Sequence, residues 1–350
     1  MKKAISLFLC IALIFTLCAC GTSTTSETPS SSDASTSDSA VAADEPVEIT
    51  IGHIYASSHA IGQALDLFAE KVNELSDGSI TAVVYPASQM GSESEILQQV
   101  DQGAPDMTVS GGGMYAGYVP AASVFESLCM FADGTQQVQI IDEMGGLDFF
   151  NEVMADSNFV AVGWMSGGSR NVLSTVPVRT ADDFKGLNIR VPDNQVYVDI
   201  FKTLGCNPTI VSWSEGYTAM QTGMVSAIEA GTETLATANL QEVADYYTIT
   251  GHINVTNFCS MNKDKWNSLS ENQQNAVIEA MKLANELQLS LSEENEQVYR
   301  DKFVEAGIEI IELSSDDIAK LQESVSGIVT STAESYGFAD KVAELRSCLG

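Results

Sequence analysis

Basic side chains are scarce in this 350-residue chain: 16 Lys and Arg stand against 47 Asp and Glu, a formal net charge of −31. That balance argues against nucleic acid as a partner and against adhesion to anionic lipid through a basic patch. Histidine occurs only at His53, His59 and His252, too few for a His-rich metal centre, so neither a metal nor a cofactor is expected. The chain contains no G-x-S-x-G elbow, no H-E-x-x-H, no Walker A and no G-x-G-x-x-G, and the expectation is a protein that is not an enzyme. Gly111-Gly112-Gly113 brings backbone amides together after a strand-like run, but without a Gly-Lys-Ser/Thr continuation it reads as a plain loop.

Cys129, Cys206, Cys259 and Cys348 are widely spaced and form no C-x-x-C pair. A metal cluster is therefore not expected, and their disulfide pairing is left open. The other three cysteines belong to the N-terminus. There Lys2 and Lys3 precede an apolar run, Ala4 to Leu17, that is too short to span a membrane. It ends in Leu17-Cys18-Ala19-Cys20, which resembles a bacterial lipobox and implies a signal peptide over 1–20 with Cys20 as the lipid anchor. Residues 21–46 are rich in Ser, Thr, Ala and Asp, a composition that cannot bury enough apolar surface to fold, and they are expected to be a flexible linker. No second hydrophobic span follows, so the mature chain is expected outside the membrane, tethered to its outer face.

Periodicity then predicts an α/β body large enough for two domains. Val47–Gly52 alternates as a strand. Ile61, Leu65, Phe68, Val72 and Leu75 recur at helical spacing up to Gly78, and Ile80–Tyr85 is the next strand. A helix over 92–102 and a strand over 106–110 complete a strand-helix-strand-helix-strand series, which predicts a parallel sheet with helices on its faces. A strand over 159–164 closes the first half, and a second α/β unit opens at Arg170. Ser270-Glu271-Asn272-Gln273 fits a capping box at the head of a very long helix running to about Ala306.

Against this acidic background the chain has only five arginines, and none precedes Arg170. Arg170, Arg179 and Arg190 fall close together, and a planar fork of donors suits a carboxylate. Arg190 sits at the end of a strand, just ahead of Pro192, where open α/β folds bind ligands. Arg179 lies beside a helix start and reads as a surface residue.

A longer pattern surrounds Arg190. Gly186-Leu187-x-Ile189-Arg190-Val191-Pro192, Leu204-Gly205-Cys206-Asn207-Pro208 and Trp213-Ser214-Glu215-Gly216-Tyr217 through Ala227-Ile228-Glu229 resemble the solute receptors of tripartite ATP-independent periplasmic (TRAP) transporters. Pro86-Ala87-Ser88-Gln89-Met90-Gly91 and Val100-Asp101-Gln102-Gly103 agree. The resemblance implies a two-domain α/β fold of the periplasmic-binding-protein kind, type II-like, with a hinge and a long domain-spanning helix. Domain I would comprise 47–167 plus about 256–295, and domain II 168–255 plus about 296–350.

The resemblance further implies a monomeric extracytoplasmic receptor that delivers a small organic carboxylate to TRAP membrane subunits. Arg190 would grip the carboxylate, with Arg170 as a second ligand arginine and Trp213 against the solute. Glu229 and Tyr217 would support the site, Asp193 follows the R-V-P motif, and His59 lies in the N-terminal loop that reaches the cleft. Asp193 stands where Asn or Ser is frequent, Ala230-Gly231 replace the Asn-Pro of sialic-acid receptors, and Gly111 replaces a ligand-contacting acid. These departures leave the solute open and count against sialic acid. The alternative is a solute or metal receptor of an ATP-driven transporter.

Overall fold

The computed structural model describes residues 44–349; the leader, Cys20 and nearly all of the linker lie outside the described residues. Ten strands form one continuous sheet: β1 Val47–Gly52, β2 Ile80–Tyr85, β3 Met107–Gly111, β4 Phe159–Ser174, β5 Asn188–Val191, β6 Asn207–Ile210, β7 Ala227–Gly231, β8 Tyr246–Ile249, β9 Asn254–Asn262 and β10 Glu309–Glu312. Their order is β2-β1-β3-β9-β4-β7-β5-β6, with β8 also on β4 and β10 on β8. The expected parallel unit is present, since β1 pairs in parallel with both β2 and β3. What periodicity did not foresee is β9, which inserts antiparallel between β3 and β4. All nine of its residues are buried, so it has no polar face and shows no alternation.

The strand expected to stop at Trp164 continues to Ser174 as the single β4. Its first part pairs with β9, and Arg170–Ser174 pair with β7. The change of partner falls at Gly167-Gly168, where the register shifts between Ser166 and Ser169 and Gly168 takes φ +76°, a backbone state that glycine reaches without a Cβ penalty. A side chain holds the strand at the near edge of the interruption: Gln288 Oε1 accepts from Ser166 N at 2.9 Å, and Gln288 Nε2 donates to Ser166 O at 2.9 Å.

Gln288 belongs to the expected long helix, which spans 35 residues, Glu271–Glu305, and opens with the Ser270/Gln273 capping box. Val277, Ala280, Met281 and Ala284 pack in the core with Phe68 and Val72 of the helix Ala60–Leu75. Further along, the contacts become polar. Asn295 Nδ2 donates to Glu233 Oε1 at 3.1 Å, and Thr232 Oγ1 donates to Glu296 Oε1 at 3.0 Å. Phe303 then joins Leu173, Ile228 and Tyr247 in the core under the other end of the sheet. One helix thus grips both ends of the sheet, and its apolar stripe is discontinuous because its middle works through hydrogen bonds. Cys129, Cys206, Cys259 and Cys348 are all free thiols. No helix among the described residues is long and apolar enough to cross a membrane.

Removing the Gln288 amide takes these two hydrogen bonds from the Ser166 N–H and C=O, at about 1–3 kcal/mol for each group left unsatisfied. Gln288→Leu is expected to lower stability by roughly 2–4 kcal/mol in urea denaturation. An unchanged midpoint would show that the side chain does not hold the β4 interruption.

Candidate binding cleft

Where β3, β5, β7 and the interrupted β4 converge, the fold leaves a cleft whose empty space, open mouth included, is about 550 Å³. Arg190 enters from β5, whose ladder stops at Pro192 because proline has no N–H to give. It is buried to 4% exposure. Its Nε donates to the Val211 carbonyl at 2.8 Å, and its guanidinium carbon stands 5.4 Å from the Trp213 ring. Among the described residues no protein acceptor engages its Nη1 or Nη2, and no carboxylate lies within ion-pair distance. Burial pushes Arg190 down to about 10, with Glu229 opposing that shift and Arg170 adding to it; the side chain is still a cation at neutral pH.

The other arginines are matched differently. Arg170 donates from Nη2 to the Glu229 carbonyl at 2.8 Å and to Glu229 Oε1 at 2.6 Å, while its Nε bonds Oε2. Its guanidinium also lies 4.7 Å from the Tyr197 ring. Burial pushes the Glu229 carboxyl up, but the charge of Arg170 and hydrogen bonds from His252 and Arg170 outweigh it, and the net shift is downward. His252 Nε2 lies 3.3 Å from Glu229 Oε2. Arg179 pairs with Glu309 on the surface, as its position beside a helix start suggests, and Arg300 pairs with Glu296. Arg346 donates to the carbonyls of Ser127, Leu128 and Met130.

Several wall residues had no mark in the sequence. Glu126, buried in the cleft wall, accepts from Tyr197 Oη at 2.5 Å, Asn194 Nδ2 at 3.0 Å and Gly113 N at 3.1 Å. Burial raises its carboxyl above the ordinary range, with the Tyr197 bond and the charge of Arg170 opposing. A Cβ on Gly113 would come within 2.3 Å of Asn194 Nδ2 and 2.7 Å of Glu126 Oε2, so only glycine fits there. Gly111 N donates to Glu93 Oε1 at 3.1 Å. Two amides of the glycine run are therefore engaged by protein carboxylates. Glu93 could have been suspected from the Ser92/Glu95 capping box, which places it in the first turn of a helix. Glu126, Tyr55 and Asn257 carry no local signal, because their partners are distant in sequence.

Of the seven residues singled out for the site, Arg190, Arg170 and Trp213 line the cleft together, and Glu229 lies behind Arg170. The other three stand elsewhere. Asp193 is exposed, because Asn194 turns inward and caps the helix Gln195–Thr203 by accepting from Val196 N at 2.9 Å. Tyr217 donates to Glu242 Oε2 at 3.0 Å and lines an adjoining space at the mouth. His59 caps the helix Ala60–Leu75 with Nδ1, which accepts from Ile61 N at 3.1 Å, so Nε2 carries the hydrogen and meets Thr234 Oγ1 at 3.0 Å. Burial pushes His59 down to about 3, so its approach to Glu233 at 3.8 Å is a contact of a neutral ring. Among the described residues no group of three or more His, Cys, Asp and Glu side chains is arranged to hold a metal ion.

Comparison with known proteins finds relatives of the chain. The family model described as bacterial extracellular solute-binding protein, family 7, matches residues 51–335. A solute-binding protein of Chromohalobacter salexigens is 31% identical over 79% of this chain and 82% of its own length. A 2,3-diketo-L-gulonate-binding periplasmic protein of Escherichia coli is 28% identical over 70% of this chain and 74% of its own length. The crystal structure of a TRAP periplasmic solute-binding protein from Chromohalobacter salexigens with bound D-glucuronate superimposes with a TM-score of 0.79 at 28% identity, covering 85% of this chain and 99% of that one.

Glu233, which accepts from Ala60 N at 2.9 Å beside His59, is pushed by burial from the ordinary 4.5 to about 7. A carboxyl raised in the fold contributes stability that is complete below its unfolded value and lost as pH rises through its folded value. Between pH 5 and pH 8 the wild type is therefore expected to lose on the order of 2 kcal/mol relative to Glu233→Gln. Urea melts of both proteins at the two pH values check this; a stability difference that does not change with pH would count against it.

Proposed function

The chain belongs to the bacterial extracellular solute-binding proteins, family 7, and from that membership we propose that it captures a small organic acid in the cleft, with Arg190 as the carboxylate anchor. The observation that carries this reading is the state of Arg190: a buried cation whose terminal nitrogens lack protein acceptors, set in the wall of a cleft. A solute carboxylate would supply both the missing charge and the missing acceptors, through charge-assisted bonds worth about 1.5–3 kcal/mol each. Arg170, already neutralised by Glu229, would orient the solute without demanding a second charge. Trp213 would cover its apolar side.

The solute then passes to the membrane subunits of a TRAP transporter. In this reading the two domains, 47–167 plus about 256–295 and 168–255 plus about 296–350, close on the solute around the β4 interruption and the long helix. The protein works as a monomer held at the outer face of the membrane by lipid on Cys20. D-glucuronate and 2,3-diketo-L-gulonate, the ligands named for two relatives, make sugar acids the first solutes to try.

A thermal-shift panel of sugar acids, keto acids, dicarboxylates and aromatic acids tests the capture. A ligand at 100 times its Kd stabilises by about 2.7 kcal/mol, and at least one carboxylate is expected to raise Tm by several degrees. Arg190→Ala is expected to weaken that ligand tenfold or more in calorimetry; unchanged affinity would remove Arg190 from the site. For the anchor, mass spectrometry of the intact protein extracted from membranes is expected to show a lipid adduct on Cys20, and an unmodified Cys20 would refute lipidation.

A further inference from the structure

We propose that Asn257 reads an uncharged oxygen of the solute, so that the cleft selects an acid with one carboxylate and a hydroxyl or carbonyl group over a dicarboxylate. This rests on the organic-acid reading above and adds the determinant of which acids are accepted. Asn257 lies in β9 between Gly111 of β3 and Met165 of β4, at 1% exposure, and it lines the cleft. Tyr55 Oη donates to its Oδ1 at 2.9 Å and so fixes the amide plane. Its Nδ2 has no hydrogen-bond partner, although it is buried. Buried donors are nearly always paired, and an orphan at a ligand cleft needs an explanation. A solute oxygen is the partner that removes the deficit.

The neighbouring backbone packs close to this donor and leaves it no protein partner. A Cβ on Gly167, which also lines the cleft, would stand 2.9 Å from Nδ2. Any other residue there would crowd the amide.

Charge decides what kind of oxygen arrives. Arg170 is matched by Glu229, which leaves Arg190 as the unmatched cation of the wall. Glu93 and Glu126 line the same cleft. One carboxylate on the solute balances Arg190. A second would be enclosed with two protein carboxyls and no remaining cation, a repulsion that low dielectric strengthens. The group at Asn257 is therefore a hydroxyl or carbonyl oxygen.

Calorimetry on the mature protein tests this with D-galactonate, D-glucuronate and D-erythronate as hydroxy-acid probes, hexanoate as an acid without hydroxyls and adipate as a dicarboxylate. The tightest hydroxy acid is expected to bind about tenfold or more tighter than hexanoate and adipate. Asn257→Asp keeps the acceptor for Tyr55 but removes the donor, and should weaken that hydroxy acid at least tenfold; Asn257→Ala should weaken it roughly three- to tenfold and leave hexanoate unchanged. Adipate or hexanoate binding the wild type as tightly as the best hydroxy acid would overturn the proposal, and this arm does not depend on any variant folding. Full hydroxy-acid affinity in both Asn257 variants, with affinity lost in Arg190→Ala, would overturn it while leaving the organic-acid reading intact. No binding of any acid to the wild type would overturn both.

Discussion

The ion pair of Arg170 with Glu229 governs how the cleft can work. It joins β4 to β7 just past the strand interruption, and it neutralises one of two arginines that would otherwise face each other's charge. A buried pair of this kind contributes little net stability, since desolvation offsets most of its attraction, but removing one partner strands a charge in the interior at about 3–5 kcal/mol. Its main consequence is electrostatic. With Arg170 matched, the cleft holds one unmatched cation, Arg190, and the protein tolerates its burial because Val211 and Trp213 supply partial compensation.

Around that cation the wall is built from parts that serve as one another's partners. Glu126 collects Tyr197, Asn194 and Gly113, and Tyr197 in turn lies against Arg170. Asn194 also starts the helix that carries Tyr197. A change at any of these residues would disturb the others, because a buried polar network is favourable only when its members remain satisfied. Asn257 departs from this pattern, being held by Tyr55 on one side and unpartnered on the other.

Beside the apolar core that runs under both ends of the sheet, polar contacts also join them. Gln288 bonds the Ser166 N–H and C=O, while Glu233 and Thr234 reach across to the head of the helix Ala60–Leu75 through Ala60 and His59. Hydrogen bonds of this kind are directional and individually modest.

Sequence alone determined the features whose physics is local. The strand stopped by Pro192 placed Arg190 at a strand end, the capping box set the start of the 35-residue helix, and apolar periodicity found β1, β2 and their parallel partner β3. The excess of acids over bases made a buried arginine conspicuous before any fold was known. Tertiary structure alone decided that β4 runs through its glycines, that β9 enters between β3 and β4, and that His59, Asp193 and Tyr217 stand away from the arginines. It also brought Glu126 to Asn194 and Tyr55 to Asn257, pairs separated by 68 and 202 positions. Caps, turns and amphipathic stripes arise among residues a few positions apart, so they leave a pattern in the chain. A hydrogen bond across a sheet joins residues whose spacing in sequence is arbitrary, and no local pattern records it.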